Sequence, residues 1–309
     1  MKGESFAYWK LLEIKEMKKL IVWDLFGGGV NSVYKAIGDN PNFEIYTFDL
    51  FPERYHNKQF VVDLSEEFEW LKRYFSAFPK PDIIVASPLC QSFSSILSLK
   101  GGGTCFWKYK DETRTALTER SVEEFENLKN GFTKYLDADK QLFIKRLGKK
   151  CIDNTINLIK EFKPLYWYIE NPKSSLIWKY IQYNRNDFYN ETFAFNETYY
   201  GDYGYLQPKP TVFLSNVLFN LKNNNSLKIV KNGKRKQIWR NNELIAEMSI
   251  SDRMLPSLRN HKYKAVGNFQ AKEAANISAI PSELLKDIFE DFLDIFRDME
   301  YEELSNEEN

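Results

Sequence analysis

The stretch LIVWDLFGGGVNSVYKAIG, residues 20–38, limits the possible folds more than any other part of the chain. A mostly apolar run carries Asp24 near its end and meets three consecutive glycines. The residues beyond them have helical potential through Ala36 and Ile37. Strand, tight loop and helix in that order form the opening of a βαβ unit, because glycine permits the close turn between the two elements. The pattern then repeats. FEIYTFDLF reads as a strand ending at Asp49, and QFVVDLSEEFEWLKRYF as a short strand, Asp63 and a helix. PDIIVASPLC is apolar without alternation, as expected of a strand buried on both faces. Further on, the helix KCIDNTINLIKEF leads into the strand LYWYIENP, and ETFAFNETYYGDYGYLQPKPTVFLSN holds two more strands. Strands and helices alternating at this spacing predict an α/β fold with a mostly parallel sheet covered by helices.

At 309 residues the chain can form one large domain with an appendage. Its 43% hydrophobic and 28% charged residues exclude disorder for most of the length. There is no apolar run of about 18 residues, and the first 20 residues lack the apolar core of a signal peptide, so the chain is expected in the cytoplasm and off the membrane. Cys90, Cys105 and Cys151 form no C-x-x-C pair, and the two histidines lie far apart, which suggests neither a disulfide framework nor a metal site. The net charge is zero but uneven. Residues 222–242 carry seven lysines and arginines and no acid, whereas the chain from Asp287 onward is mostly acidic. Asn232-Gly233 within the basic region is a hairpin signal. The expected organisation is a main domain over 1–216, a small domain over 217–262 and a helical return over 263–309. KGGGTCFWKYKDETRT, from Lys100, reads as a mobile loop, with a weakly patterned helical segment after it.

In open α/β sheets ligands bind beyond the carboxyl ends of the strands, so the polar groups there should converge. Gly27, Gly28 and Gly29 would let a cofactor approach the backbone, Asp49 stands where a ribose is usually held, and Asp63 can accept from an adenine amino group. Cys90 and Glu170 each follow an apolar strand and lie two residues from a proline. A thiol is a strong nucleophile, and a carboxyl group beside an apolar strand can stay protonated and act as an acid.

DLFGGG, SPLCQSFS, YIENP and GYLQPKPTVFLSN, in that order, resemble the motifs of the cytosine carbon-5 DNA methyltransferases. The likeness is greatest to short, divergent phage and mobile-element forms with E-N-P in place of E-N-V. It covers roughly residues 21–216, with a weaker echo at AVGNFQ. The resemblance implies a Rossmann-like, S-adenosylmethionine-dependent methyltransferase domain with a small target-recognition domain. Phe26 and Gly27 to Gly29 would wrap the cofactor, Asp49 would hold its ribose and Asp63 its adenine. Asp24, Leu50, Leu64, Pro88 and Asn268 of the late Gly-Asn motif would complete that pocket. Cys90 would be the nucleophile and Glu170 the acid, while Gln207 and Lys209 would open the Q-x-R-x-R motif that holds the target base.

The chemistry so implied is addition of the Cys90 thiolate to carbon 6 of a flipped-out cytosine, methyl transfer to carbon 5, and elimination. Gln91, Ser94, Lys231, Lys234, Arg235 and Lys236 would contact the nucleic acid, and glycines 101–103 suit the hinge of a closing loop. The resemblance further implies a monomer acting on duplex DNA, with a cognate restriction endonuclease as a possible partner. Leu89 replaces a proline of the family's P-P-C, one extra residue stands near Val30-Asn31, and Lys209 and Thr211 stand where two arginines are usual. Two alternatives stay open: the same reaction on RNA, as in the family's transfer-RNA branch, and a non-catalytic nucleic-acid-binding relative.

Overall fold

The computed structural model describes residues 19–52, 55–94, 104, 106–129, 133, 135–205, 207–233, 235–249, 264–265 and 279–307. In chain order its strands are β1 (Leu20–Leu25), β2 (Phe43–Asp49), β3 (Gln59–Val61), β4 (Ile83–Ala86), β5 (Trp107–Tyr109), β6 (Leu117–Glu119), β7 (Tyr166–Pro172), β8 (Ala194–Tyr199), β9 (Pro210–Ser215), β10 (Leu227–Asn232), β11 (Arg235–Arg240), β12 (Glu243–Ser249) and β13 (Lys264–Ala265). The principal helices are α1 (Ser32–Ile37), α2 (Phe68–Phe75), α3 (Val122–Leu128), α4 (Ala138–Phe162) and α5 (Ser282–Glu307).

Seven strands form the central sheet in the order β3-β2-β1-β4-β7-β9-β8. The first five are parallel, and β9 runs antiparallel to both β7 and β8. The fold is therefore α/β with a mostly parallel sheet. All four residues of β4 are buried, which is why that strand reads as an unbroken apolar run. One face of the sheet packs Trp23, Phe48 and Ile84 against Phe75 of α2 and Ile152 and Ile156 of α4. The other packs Val22, Ile83 and Tyr168 against α1 and against Leu284, Ile288, Phe289 and Phe292 of α5. Each large side chain fully buried in this way contributes roughly 1.5–3 kcal/mol. Strand order reverses between β1 and β4, so a crevice opens beyond their carboxyl ends.

The stretch expected to be a mobile loop contains a strand of a paired hairpin. Residues 101–103 lie outside the described residues, but β5 pairs antiparallel with β6. Phe106 and Trp107 are 1% exposed, so burial of two aromatics outweighs the mixed charge around them. The helix expected from Lys150 begins twelve residues earlier, as the 25-residue α4. The hairpin at Asn232-Gly233 joins β10 to β11, with Gly233 at φ +56°, and leads a four-stranded antiparallel sheet. Among the described residues no helix is long and apolar enough to cross a membrane.

Candidate active site

The glycine loop closes over two acids. Asp24, near the end of β1, is 4% exposed, and its Oδ2 has no hydrogen-bond partner among the described residues. Burial, and then the charge of Asp49, push its carboxyl up to about 7. A Cβ on Gly27 would lie 1.8 Å from that oxygen, so only glycine fits there. Asp49, at the end of β2, accepts from the Gly28 amide at 3.1 Å through Oδ2 and from the Phe51 amide at 3.0 Å through Oδ1. Each oxygen keeps a second lone pair for a ligand hydroxyl. Phe26 and Asn31 adopt left-handed backbone, at φ 67° and 55°. The Asn31 side chain locks the turn by donating to the Gly28 carbonyl at 2.8 Å and accepting from Gln59 at 2.5 Å. The extra residue near Val30-Asn31 thus belongs to a loop with its own internal tie. Asp63, just after β3, accepts from the amide and hydroxyl of Ser65 through Oδ1, leaving Oδ2 for a donor. Leu64 is buried, whereas Leu50 and Phe51 are exposed apolar surface on the segment after Asp49. Unsatisfied acid, close-approach glycines and exposed apolar side chains fit a cationic nucleoside cofactor.

The second cluster forms where β4 ends before β7 does. Pairing between these strands stops at Ala86–Ile169, so Glu170 stands beside the segment that follows β4. That segment carries buried Pro88 and then half-buried Cys90, which leads the 3₁₀ turn Gln91–Phe93. Glu170 is 7% exposed and accepts from the Tyr200 hydroxyl at 3.1 Å. Burial pushes the Cys90 thiol up, the Glu170 charge pushes it further, and Lys209 pulls it down. Lys209 is held below the usual lysine range by burial, opposed by Glu170 and Cys90. Thiol, carboxylate and ammonium therefore share one electrostatic neighbourhood. Gln207 is half-buried in the approach to Lys209.

Several residues that position this cluster were not singled out by sequence reasoning. Asn171 donates to the Pro88 carbonyl at 3.0 Å, tying the end of β7 to the Cys90 segment. The Leu176 amide donates to the Phe93 carbonyl at 2.9 Å, and the Phe93 ring stacks on Trp107 with centroids 5.3 Å apart. Gly148 lets α4 lie directly on the segment, since a Cβ there would sit 2.1 Å from Ser92 Oγ and 2.8 Å from Ser92 Cβ. Ser92 is buried and cannot swing away. Alanine at 148 would gain helix propensity, but overpacking in a tight contact costs about 1–3 kcal/mol. Gly148→Ala is expected to lower stability in urea unfolding, and Gly148→Ala with Ser92→Gly to recover more than half of the loss.

Of the residues expected to contact nucleic acid, the described ones lie on the Cys90 segment and on β10 and β11. Gln91 is exposed beside Cys90, Ser94 is half-buried after the 3₁₀ turn, and Lys231 is exposed on β10. Arg235 and Lys236 lie on β11, opposite Asn232 and Lys231. Lys234 and Asn268 lie outside the described residues. One member of the basic run turns inward: Arg240 donates to the carbonyls of Gly201 and Tyr205, whereas Lys222 stays exposed with its ammonium 4.7 Å from the Tyr203 ring centroid.

No protein-family model matches the chain, and neither does any curated protein. Among solved structures, it is similar to the Dnmt2 methyltransferase of S. pombe, with a TM-score of 0.36, 14% identity, and 66% of this chain and 53% of that one covered. It is also similar to the methyltransferase EhMeth of Entamoeba histolytica, with a TM-score of 0.36, 16% identity, and 66% and 55% covered. The similarity spans about half the length of those two chains.

Proposed function

We propose that the chain is an S-adenosylmethionine-dependent methyltransferase acting on carbon 5 of cytosine in duplex DNA. The observation that carries this reading is the grouping of Cys90, Glu170 and Lys209 beyond β4 and β7, next to a glycine loop lined by Asp24 and Asp49. The cofactor, when bound, supplies an electrophilic methyl group. Gly27 and Gly28 would let it approach the backbone, Asp49 would hold its ribose, and Asp63 its adenine amino group. Cys90 adds as thiolate to carbon 6 of a base taken out of the stack, at a cost of roughly a few kcal/mol for flipping. Glu170, kept from water, acts here in its protonated form, donating its proton to ring nitrogen 3 and so offsetting the negative charge that builds there, where a low local dielectric strengthens the interaction. Lys209 stabilises the thiolate. Once carbon 5 carries the methyl group, loss of its proton to water acting as base, with elimination of the thiolate from carbon 6, restores Cys90. The exposed lysines of β10 support contact with a phosphate backbone.

Incubation with cofactor and duplex DNA containing 5-fluorocytosine, which blocks the last proton loss, is expected to give a covalent adduct that Cys90→Ala does not form. Adduct on 5-fluorocytosine RNA alone would move the substrate to RNA. Tight cofactor binding with no adduct on either polymer would overturn the catalytic reading.

A further inference from the structure

Tyr200 follows β8 directly, is 0% exposed, and has no part in the reaction as drawn. It nevertheless touches both charged members of the cluster. Its hydroxyl donates to Glu170 Oε1 at 3.1 Å. Its ring face lies 4.1 Å from Lys209 Nζ. The backbone fixes this arrangement: Tyr199 pairs with Pro210, and the Tyr200 amide donates to the Lys209 carbonyl at 3.4 Å, so Tyr200 and Lys209 continue the ladder side by side. Tyr205 packs edge-on against the ring, with centroids 5.5 Å apart, and is itself held through its hydroxyl by the Ala279 carbonyl. Thr211, wholly buried two residues after Lys209, brings no charge and donates to the Lys209 carbonyl at 3.1 Å.

A lysine is a point charge on a flexible stem and lacks the planar fork with which an arginine orients itself on a carboxylate. Something else must fix both partners here. We propose, resting on the reading above, that Tyr200 is the positioning residue of this centre, its hydroxyl fixing the Glu170 carboxylate and its ring face fixing the Lys209 ammonium beside Cys90. The two contacts cooperate. A carboxylate that already has a hydrogen-bond donor does not draw the ammonium away from the thiol, and the negative face of the ring offsets part of the ammonium's burial. Among the described residues, the charged groups facing Cys90 are Glu170 and Lys209; Tyr200 faces the same two together with the neutral Tyr205 phenol and the Thr211 hydroxyl.

The test is the pH dependence of Cys90 alkylation by iodoacetamide in the full chain, read on the Cys90 peptide by mass spectrometry, so that Cys105 and Cys151 do not contribute. Tyr200→Phe keeps the ring and removes the donor. It is expected to raise the alkylation midpoint by about half a pH unit or more, because Glu170 then competes for Lys209. Tyr200→Leu removes both contacts and should raise the midpoint as far as Lys209→Gln does. In the Lys209→Gln background, Tyr200→Phe should add nothing. An unchanged midpoint in Tyr200→Phe with a native circular dichroism spectrum, or a shift that adds in full to that of Lys209→Gln, overturns the proposal. The readout needs neither cofactor nor nucleic acid, so it stands or falls separately from the 5-fluorocytosine trap.

Discussion

Cys90→Ser is expected to remove methyl transfer, by about 10⁴-fold or more in single-turnover rate, because no other side chain in the cluster can form the covalent bond to the base. Equilibrium binding of the cofactor should change less than about twofold. The separation of these effects follows from the fold. The glycine loop is held by Asn31, Asp49 and the Phe26–Phe48 backbone bond at the ends of β1 and β2, whereas Cys90 is held by Asn171, Gly148 and Leu176 around β4 and β7. A serine hydroxyl is far less acidic than a thiol, and burial plus the Glu170 charge act against the anion at this position. In the native protein the same two influences keep the thiol above its ordinary value, so the neutral form dominates at pH 7. The rate of adduct formation should accordingly rise with pH above 7 until the thiol is ionised, and Lys209→Gln should move that rise to higher pH. A rate independent of pH between 7 and 9, with chemistry limiting, would contradict this electrostatic account. Retained turnover in Cys90→Ser would remove the nucleophile assignment altogether.

The strand ends were the legible part of this chain. Each of Asp24, Asp49, Cys90 and Glu170 is marked in the sequence by an apolar run that stops beside a polar residue, and a parallel sheet brings such positions to one edge whatever the details of packing. Tyr200 was not legible, because its role depends on the antiparallel pairing of β8 with β9 and on a register that places Tyr199 opposite Pro210. A one-residue slip would have turned its ring to the other face. Gly148 lies in the middle of a helix, where a glycine reads as a weak helix former; only the proximity of Ser92 shows why it is there. Arg240 was counted with the basic run by its charge, yet its guanidinium bonds the backbone of residues 201 and 205. Trp107 misled in the opposite sense. Glycines and charges around it suggested a loop, but stacking on Phe93 and the ion pair of buried Lys145 with Glu119 nearby hold the hairpin in place.

Asp24→Asn is expected to change how stability depends on pH, in the direction opposite to that of an ordinary surface carboxylate. The Asp24 carboxyl is pushed from 3.8 to about 7, first by burial and then by Asp49. A folded-state value above the unfolded one means that the native state holds this proton more tightly. Below about pH 4 both states are protonated and the group costs nothing. Between about pH 4 and pH 7 the unfolded chain releases the proton while the native one keeps it, so native stability falls as pH rises; above about 7 both are ionised and the loss is constant. The span from 3.8 to about 7 corresponds to on the order of 4 kcal/mol. Asparagine keeps the shape and the neutral state but does not titrate. The stability of Asp24→Asn minus that of the native protein, measured by urea unfolding, should therefore grow from pH 5 to pH 7 and level off near pH 8. A difference independent of pH would mean that Asp24 is solvated or paired in the native state. The destabilisation is one the chain could avoid with a neutral side chain at this position. Retaining an acid with an unpartnered oxygen against Gly27 is accounted for by the proposed cofactor pocket, and by no hydrogen bond among the described residues.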